Sequence, residues 1–344
     1  MPFHQYIAKG LLEDLMPFVN SDPKLSQGAL VESAYNANKI DGKLYTIFPS
    51  FTIFTMYGSP DVLGFTPGWN MDEFISTIES NPAATSPLGI GLTRNDWLKE
   101  LVSANMNEYV DWNTGDVNFN AGGFARFLEF MTIFPEELDY NLLMTENRTS
   151  LITRGEQILA AMIVNRFDSI REGHVLFDGD IVFKGYPVVD RNGSFLMRGG
   201  LAMSSSSEHK DAVWQFMRTI LLEDWQRQNV FWGFPSNSVV FNEVLIEAKT
   251  PDIYIDENGN EVEMSKGTWW VDDNALEIYA MTDDEIETVL ALMNTVKNFM
   301  SKDNALLAII EEGAADFFAG RSTADAAAAQ IQSRAAIYVA EQRK

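Results

Sequence analysis

Cysteine is absent from the 344 residues of this chain, and histidine occurs only three times. Without cysteine, the chain has no disulfide framework, no thiol nucleophile and no cysteine-ligated zinc or iron–sulfur cluster. The histidines are His4, His174 and His209, and no His-Glu-x-x-His pattern contains them. A catalytic triad built on histidine is therefore poorly supported.

Glycine-rich nucleotide motifs are also missing. The sequence contains neither a Gly-x-x-x-x-Gly-Lys-Ser/Thr loop nor a Gly-x-Gly-x-x-Gly loop. Residues 256–260 faintly resemble a calcium-binding loop, but the remaining ligand positions are absent, and Asn258-Gly259 favours a β-hairpin turn instead. We therefore expect no catalytic residue, no metal site and no cofactor.

Positive charge is scarce, because 25 Lys and Arg residues face 49 Asp and Glu residues and the net charge is -24. A nucleic-acid partner is not expected, since phosphate binding needs a surplus of basic residues. An anionic membrane surface would repel the chain. No apolar run approaches the roughly 18–20 residues that span a bilayer, so no transmembrane segment is expected. The first six residues lack the basic start and apolar stretch of a signal peptide.

Helix and strand signals alternate along a chain that is long enough for about two domains. Capping residues and apolar stripes of helical spacing predict helices that begin near residues 70–73, 282–285 and 322–325, and helices over 210–229 and 304–318. β-Branched and aromatic runs predict strands within 42–57, 182–189 and 194–204, with Pro49 interrupting the first. Residues 158–164 are either a buried strand or the end of a helix. This alternation predicts α/β layers.

Tryptophan residues are placed in polar surroundings where no helical stripe accounts for them. Trp97 follows Arg94-Asn-Asp, Trp112 lies between Asp and Asn, and Trp232 lies in a Phe-Trp-Gly-Phe-Pro segment. A flat ring can cover the C–H face of a sugar while planar polar groups bind its hydroxyls. These aromatics therefore favour a carbohydrate site, although each ring can instead anchor a loop to the core.

Neighbouring carboxylates keep an enzymatic alternative open. The pairs Asp272-Asp273, Asp283-Asp284 and Glu311-Glu312 could serve a glycoside-acting enzyme. That chemistry needs two carboxylates held about 5–10 Å apart across a cleft, which adjacency in sequence does not establish. Asp283 and Asp284 are already explained as favourable charges at a helix N-terminus.

Six segments in order resemble one family. They are residues 41–51 (DGKLYTIFPSF), 66–74 (TPGWNMDEF), 154–164 (RGEQILAAMIV), 182–187 (VFKGYP), 199–207 (GGLAMSSSS) with 212–216 (AVWQF), and 320–326 (GRSTADA). Together they resemble bacterial extracellular solute-binding proteins of family 1, the sugar-type receptors of ABC importers that are similar to maltose-binding protein. The resemblance covers nearly the whole chain.

This resemblance implies a two-lobed α/β fold of the periplasmic-binding-protein type (type II). Lobe one would comprise residues 1–51 plus 186–236, and lobe two residues 57–184 plus 238–344. It implies an extracytoplasmic binding protein, not an enzyme, that closes about a hinge over a carbohydrate, an oligosaccharide in particular, and delivers it to ABC permease subunits. Alternatives are a binding protein for a peptide or another polar solute, and a purely structural surface protein.

The same resemblance suggests nine ligand-binding residues. On lobe two they are Asn95, Trp97, Asn165, Arg166 and Phe167; at the hinge they are Phe51, Gly199, Trp232 and Phe234.

The chain opens with a segment that resembles the interior of the family's first lobe. Family members begin with a signal peptide, often with a lipid-modified cysteine, and then with the first strands of that lobe, whereas residues 3–15 (FHQYIAKGLLEDL) resemble a later segment. We therefore expect an incomplete first lobe that is mobile or held by a neighbouring copy. A cleft that lacks one wall is expected to bind sugar weakly or not at all.

Overall fold

The computed structural model describes residues 3–25, 28–121, 123–300 and 302–343, which form strands and helices in alternation. The strands are β1 (Ser50–Gly58), β2 (Ala160–Val164), β3 (Val182–Phe183), β4 (Phe195–Met197), β5 (Phe234–Pro235), β6 (Asp252–Ile255), β7 (Glu261–Met264), β8 (Gly267–Val271), β9 (Asn274–Ile278) and β10 (Asn298–Phe299). The first nine helices are α1 (Phe3–Ala8), α2 (Met16–Ser21), α3 (Glu32–Ala37), α4 (Pro60–Leu63), α5 (Met71–Glu79), α6 (Arg94–Ala104), α7 (Met106–Tyr109), α8 (Gly123–Met131) and α9 (Tyr140–Thr145). The later helices are α10 (Arg148–Thr153), α11 (Ile170–Leu176), α12 (Lys210–Met217), α13 (Glu223–Asn229), α14 (Ser238–Lys249), α15 (Asp283–Thr295), α16 (Asn304–Phe318) and α17 (Ala324–Gln342).

Strand β1 is the centre of the main sheet. It pairs antiparallel with β2, β3, β4 and β5, and β10 joins the far side of β4 in parallel. Ile53 lies opposite Val164 of β2 and Leu196 of β4. The predicted strand over 42–57 is confirmed only after Pro49, because proline has no N–H to donate to a sheet ladder; residues 42–49 form only isolated bridges.

Predicted helix caps are confirmed at several helices. Asn70 and Glu73 form a reciprocal capping box on α5, with both bonds at 3.0 Å. Thr282 and Glu285 form another on α15, and Thr323 caps α17. The predicted hairpin is also present, since β6 and β7 pair antiparallel around Gly259.

The predicted helix over 210–229 is wrong as a continuous element. It divides into α12, a 3₁₀ turn at Arg218–Leu221 and α13, because Leu222 is extended (φ −78°, ψ 143°). The break leaves the Ile220 carbonyl without a helical hydrogen bond, and the amide of the buried Gln226 side chain donates to that carbonyl at 2.9 Å. Leu221 thereby enters the core.

Two of the predicted strands are much shorter than expected. Residues 182–189 form only β3, and residues 194–204 form only β4. Gly185 takes a positive φ of 65° and its N–H bonds to Met56, which turns the chain away from β1. Leu201 then meets Ile47 in an isolated bridge.

Two apolar clusters lie on opposite sides of the sheet. One contains Met56 and Phe127 with helices α5, α6, α8, α16 and α17. The other contains Phe48 and Trp214, and it joins residues 15–57 and 196–241 to residues 160–176 and 271–296. The second cluster therefore draws on both predicted lobes. The lobe boundaries and the incompleteness of the first lobe stay predictions.

Glu285 is held in its charged form at the start of α15. Its carboxylate accepts bonds of 2.7 and 2.8 Å from Arg171 and one of 2.8 Å from the Thr282 backbone. Burial acts to raise the pKa of Glu285, but the bonds from Arg171 and Thr282 outweigh it and lower the pKa from 4.5 to about 2.

A folded-state pKa below the unfolded value gives stability that is complete above pH 4.5 and is lost as the pH falls towards about 2. We therefore expect Glu285→Gln to flatten the fall in unfolding free energy across this window, as measured by urea denaturation at each pH. Glu287→Gln, exposed on the same helix, is the control. Identical pH profiles for Glu285→Gln and the unchanged protein would contradict the assignment.

Candidate functional site

A cavity of about 950 Å³ lies where α1, β4 and β10 face α6. Apolar and aromatic side chains make up part of its lining: Phe3, Tyr6, Leu11, Phe54, Met197 and Phe299. The polar side chains of the lining are Thr46, Glu100, Arg198, Ser204, Lys302 and Asn304. This volume is at the upper end of the roughly 300–1,000 Å³ typical of ligand pockets. We call it the main cavity.

Helix α1 is fixed against the C-terminal part of the chain. The Gln5 amide donates to Asp303 at 2.6 Å and to the Tyr338 hydroxyl at 2.8 Å, and that hydroxyl donates to Asp303 at 3.0 Å. Asp303 also caps α16, the helix that brings Asn304 to the cavity. These bonds hold the two sides of the main cavity together.

Aromatic rings form one side of the main cavity. Phe3 meets Phe299 edge-on at 5.6 Å, and His4 stacks on Phe299 at 5.8 Å. Burial lowers the pKa of His4, which favours the neutral ring. Tyr6 is half-buried, lines the cavity and has no aromatic ring partner among the described residues.

The charged groups of the main cavity leave two polar atoms without partners among the described residues. Lys302 pairs with one oxygen of Glu100, while the other oxygen, Oε2, is buried and accepts no bond. Arg198 donates through Nε to the side-chain oxygen of Asn38, while its buried Nη2 donates to nothing. Burial lowers the pKa of Arg198 to about 10, so the guanidinium is still charged at neutral pH. Both atoms are buried, so the part of the Arg198 guanidinium that is open to the cavity is Nη1, which has no hydrogen-bond partner among the described residues.

Three of the nine predicted ligand-binding residues come together in the core. Phe234 packs on Phe51 at 5.7 Å and on Phe167 at 5.2 Å, with Phe241 completing the cluster. All four rings are buried.

Trp97 lies on a helix rather than in a loop. Thr93 and Asp96 form a capping box that starts α6, so the polar residues before Trp97 are a helix cap. The ring is buried against Phe134 at 6.1 Å and lines a second cavity of about 380 Å³. Asn95, on the same helix, is half-buried.

The remaining predicted residues lie nearer the surface. The Arg166 guanidinium lies 4.7 Å from the Trp269 ring and pairs with Asp168 at 2.6 Å. Asn165 accepts a bond from Ser169 at 3.1 Å. Gly199 and Trp232 are exposed.

None of the nine residues lines the main cavity, although all nine lie in the part of the chain that the structure describes. Their contact with a ligand stays a prediction. Sequence reasoning selected neighbours of two cavity residues: Glu100 follows Trp97 by one helical turn, and Arg198 directly precedes Gly199. The capping box at Thr93 was the available signal that places Glu100 on a helix.

Gly200 lets the backbone approach closely at the main cavity. A Cβ atom at Gly200 would lie 2.5 Å from the Ile47 carbonyl oxygen, which accepts the Leu201 N–H at 2.8 Å. At Gly199 a Cβ atom would meet nothing within 4 Å.

We expect Gly200→Ala to lower the free energy of unfolding by about 1–3 kcal/mol, as overpacking does. Gly199→Ala is the matched control and is expected to change it by less than about 0.5 kcal/mol. Both are measured by urea denaturation. Equal losses in the two variants would show that the close approach to Ile47 does not matter.

The structure is similar to solved structures of sugar-binding proteins. One is the sugar-binding protein MalE from Xanthomonas citri, with a TM-score of 0.55 and 12% identity, over 99% of this chain and 83% of that chain. Another is an ABC substrate-binding protein from Listeria monocytogenes in complex with cycloalternan, with a TM-score of 0.52 and 15% identity, over 98% of this chain and 83% of that chain. No protein-family model matches this chain, and no curated protein matches its sequence.

These likenesses define the fold. The chain has the two-lobed α/β fold of periplasmic sugar-binding proteins, and the predicted fold class is confirmed. Both neighbours are binding proteins rather than enzymes. Among the described residues, every helix is too short or too polar to cross a membrane.

Proposed function

We propose that this chain is an extracytoplasmic solute-binding protein that captures a carbohydrate in the main cavity and delivers it to the permease of an ABC importer. The observation that carries the proposal is the lining of that cavity. It combines the aromatic side chains of Phe3, Tyr6 and Phe299 with the charged groups of Glu100, Lys302 and Arg198. Among the described residues, Arg198 forms no ion pair and bonds to the neutral Asn38.

Carbohydrates match this lining chemically. Each sugar ring has apolar C–H faces that stack on an aromatic side chain, and hydroxyls that both donate and accept hydrogen bonds. A sugar hydroxyl can donate to the Glu100 carboxylate, and a sugar oxygen can accept from the Arg198 guanidinium, since both side chains line the cavity. The volume of about 950 Å³ favours an oligosaccharide over a single sugar.

The fold supports the same proposal. One structural neighbour is a sugar-binding protein and the other an ABC substrate-binding protein in complex with cycloalternan. A role outside the cytoplasm and docking to permease subunits follow from that likeness as proposals. Lobe closure over the ligand would shift the population of hinge conformers towards the closed state.

A glycoside-acting enzyme is less well supported. That reaction needs two carboxylates across the bound sugar. Glu100 is the one carboxylate that lines the main cavity within the described ranges, and Lys302 neutralises it. A peptide ligand remains an outcome of the binding test.

We expect oligosaccharides to raise the melting temperature of the full chain. A ligand at 100 times its dissociation constant stabilises a protein by about 2.7 kcal/mol through mass action. The screen compares neutral and acidic oligosaccharides with peptides. A shift with peptides and with no carbohydrate would exclude the proposed function.

Tyr6→Ala tests the site itself. Loss of one stacked ring is expected to weaken binding of the best oligosaccharide about two- to tenfold in calorimetric titration. Tyr140→Ala, which removes a ring that is 74% exposed on α9, is the matched control and leaves affinity unchanged. Weakened binding in Trp232→Ala with none in Tyr6→Ala would place the site at the residues that the sequence predicts.

A further inference from the structure

We infer that the carbohydrate bound in the main cavity carries a carboxylate, as a uronic acid does, and that Arg198 receives it. This inference rests on the proposed function and names the ligand class within it. The juxtaposition that carries it is a half-buried guanidinium in the cavity lining that forms no ion pair with any of the described residues.

Arg198 differs from most arginines of the protein in its partners. Arg171, Arg218 and Arg227, for example, each form an ion pair with at least one carboxylate. Within the described part of the chain, no Asp or Glu forms an ion pair with Arg198; its bonded side chain is the neutral Asn38. The charge of Arg198 is therefore left without an anion.

The surroundings fix the direction of the guanidinium without neutralising it. Asn38 is itself anchored, since its amide donates to the Thr46 carbonyl at 2.9 Å and its oxygen accepts from the Thr46 hydroxyl at 3.2 Å. The guanidinium carbon lies 4.5 Å from the centre of the Phe299 ring and 5.4 Å from that of Phe3. Ring faces attract a cation only weakly compared with a carboxylate. Nη2 remains unpartnered and buried.

The charge balance of the cavity also favours an acidic ligand. Lys302 and Glu100 cancel each other, which leaves Arg198 as a net positive charge in the lining of a protein with a net charge of -24. A buried charge without a counter-ion is unfavourable. A sugar hydroxyl can accept a hydrogen bond from the exposed part of the guanidinium but does not balance its charge, whereas a carboxylate does both.

The size of the cavity separates an acidic oligosaccharide from a small free acid. At about 950 Å³ it exceeds what a simple carboxylate needs, and its aromatic side at Tyr6 suits a sugar ring beside the acidic group. We therefore expect the carboxylate at Arg198 and a further sugar unit over the Tyr6 ring.

The test is calorimetric titration of the full chain with uronate disaccharides of the galacturonate, glucuronate and mannuronate series, each paired with its neutral disaccharide of identical linkage. We expect at least one uronate to bind about tenfold or more tightly than its neutral partner. Acetate and free galacturonate are added as separate arms, and we expect both to bind more weakly than the disaccharide.

Arg198→Gln is expected to remove the preference for the uronate, so that the uronate and its neutral partner bind with equal affinity. Arg198→Lys, which keeps the charge but loses the fork, is expected to keep part of the preference. Arg321→Gln, at an exposed arginine paired with Asp316, is the control and keeps all of it. The melting temperature without ligand shows whether each variant is folded, and the comparison of ligands on the unchanged protein does not depend on any variant.

The outcomes separate the two proposals. Neutral and acidic disaccharides that bind equally, or a uronate preference that survives in Arg198→Gln, overturn the acidic-ligand inference and leave carbohydrate binding standing. Binding of acetate as tight as that of the disaccharide also overturns it. No binding of any carbohydrate overturns the proposed function, and the inference with it.

Discussion

Phe234→Ala is expected to lower the free energy of unfolding by about 3–5 kcal/mol, the range for truncating a buried phenylalanine. The ring is 1% exposed and contacts Phe51, Phe167 and Phe241. Its removal leaves a cavity that these three rings cannot fill without leaving their rotamers, because β5 fixes the backbone of Phe234 against β1. Urea denaturation of the chain without ligand measures the loss.

Trp232→Ala is the matched control two residues away. Its ring is 58% exposed, so truncation is expected to change stability by less than about 0.5 kcal/mol. A large loss at Trp232 and a small loss at Phe234 would mean that the chain crosses β1 in a different register. The pair also shows whether Phe234 is available to a ligand or committed to the core.

Asp22→Ala is expected to lower the free energy of unfolding by about 3–5 kcal/mol, as breaking a buried ion pair from one side does. The Asp22 side chain is 1% exposed and accepts bonds from Arg218 at 2.9 Å and from the Trp214 indole at 2.9 Å. The Lys24 backbone N–H donates to it as well, at 2.9 Å. Alanine would leave three donors, one of them charged, without an acceptor.

Asp224→Ala is the control for this second result. Asp224 pairs with Arg227 at 3.3 Å, but its side chain is 93% exposed. Water can replace such an exposed partner with little loss of stability. We expect the urea midpoint of Asp224→Ala to equal that of the unchanged protein. Equal midpoints for Asp22→Ala and the unchanged protein would show that the Asp22 network adds nothing to stability.

The candidate site shows where sequence reasoning loses information. Aromatic residues beside polar residues in the sequence predict loop side chains that can contact a sugar. At Trp97, however, the polar residues cap a helix and the ring is buried. The sequence predicts hinge positions for Phe51 and Phe234, and in the structure both side chains are buried in the core. The residue types next to a side chain in the sequence do not show whether that side chain is buried, because burial depends on elements that are distant in sequence.

The sequence by itself determined the local elements of this protein. The capping box at Asn70, the start of β1 after Pro49 and the hairpin at Gly259 each depend on residues within a few positions of one another. Such preferences act through backbone geometry and short-range hydrogen bonds. They can therefore be predicted without knowing which elements pack against one another. The segment resemblance likewise led to the correct fold class.

Only the tertiary structure decided the composition of the main cavity. Arg198 is bonded to Asn38, 160 positions away, and Lys302 to Glu100, 202 positions away. Neither hydrophobic periodicity nor a helix cap predicts such a pairing, because the pairing arises when β4, β10 and α6 pack around β1. The same packing determines that Arg198 meets the amide of Asn38 rather than a carboxylate.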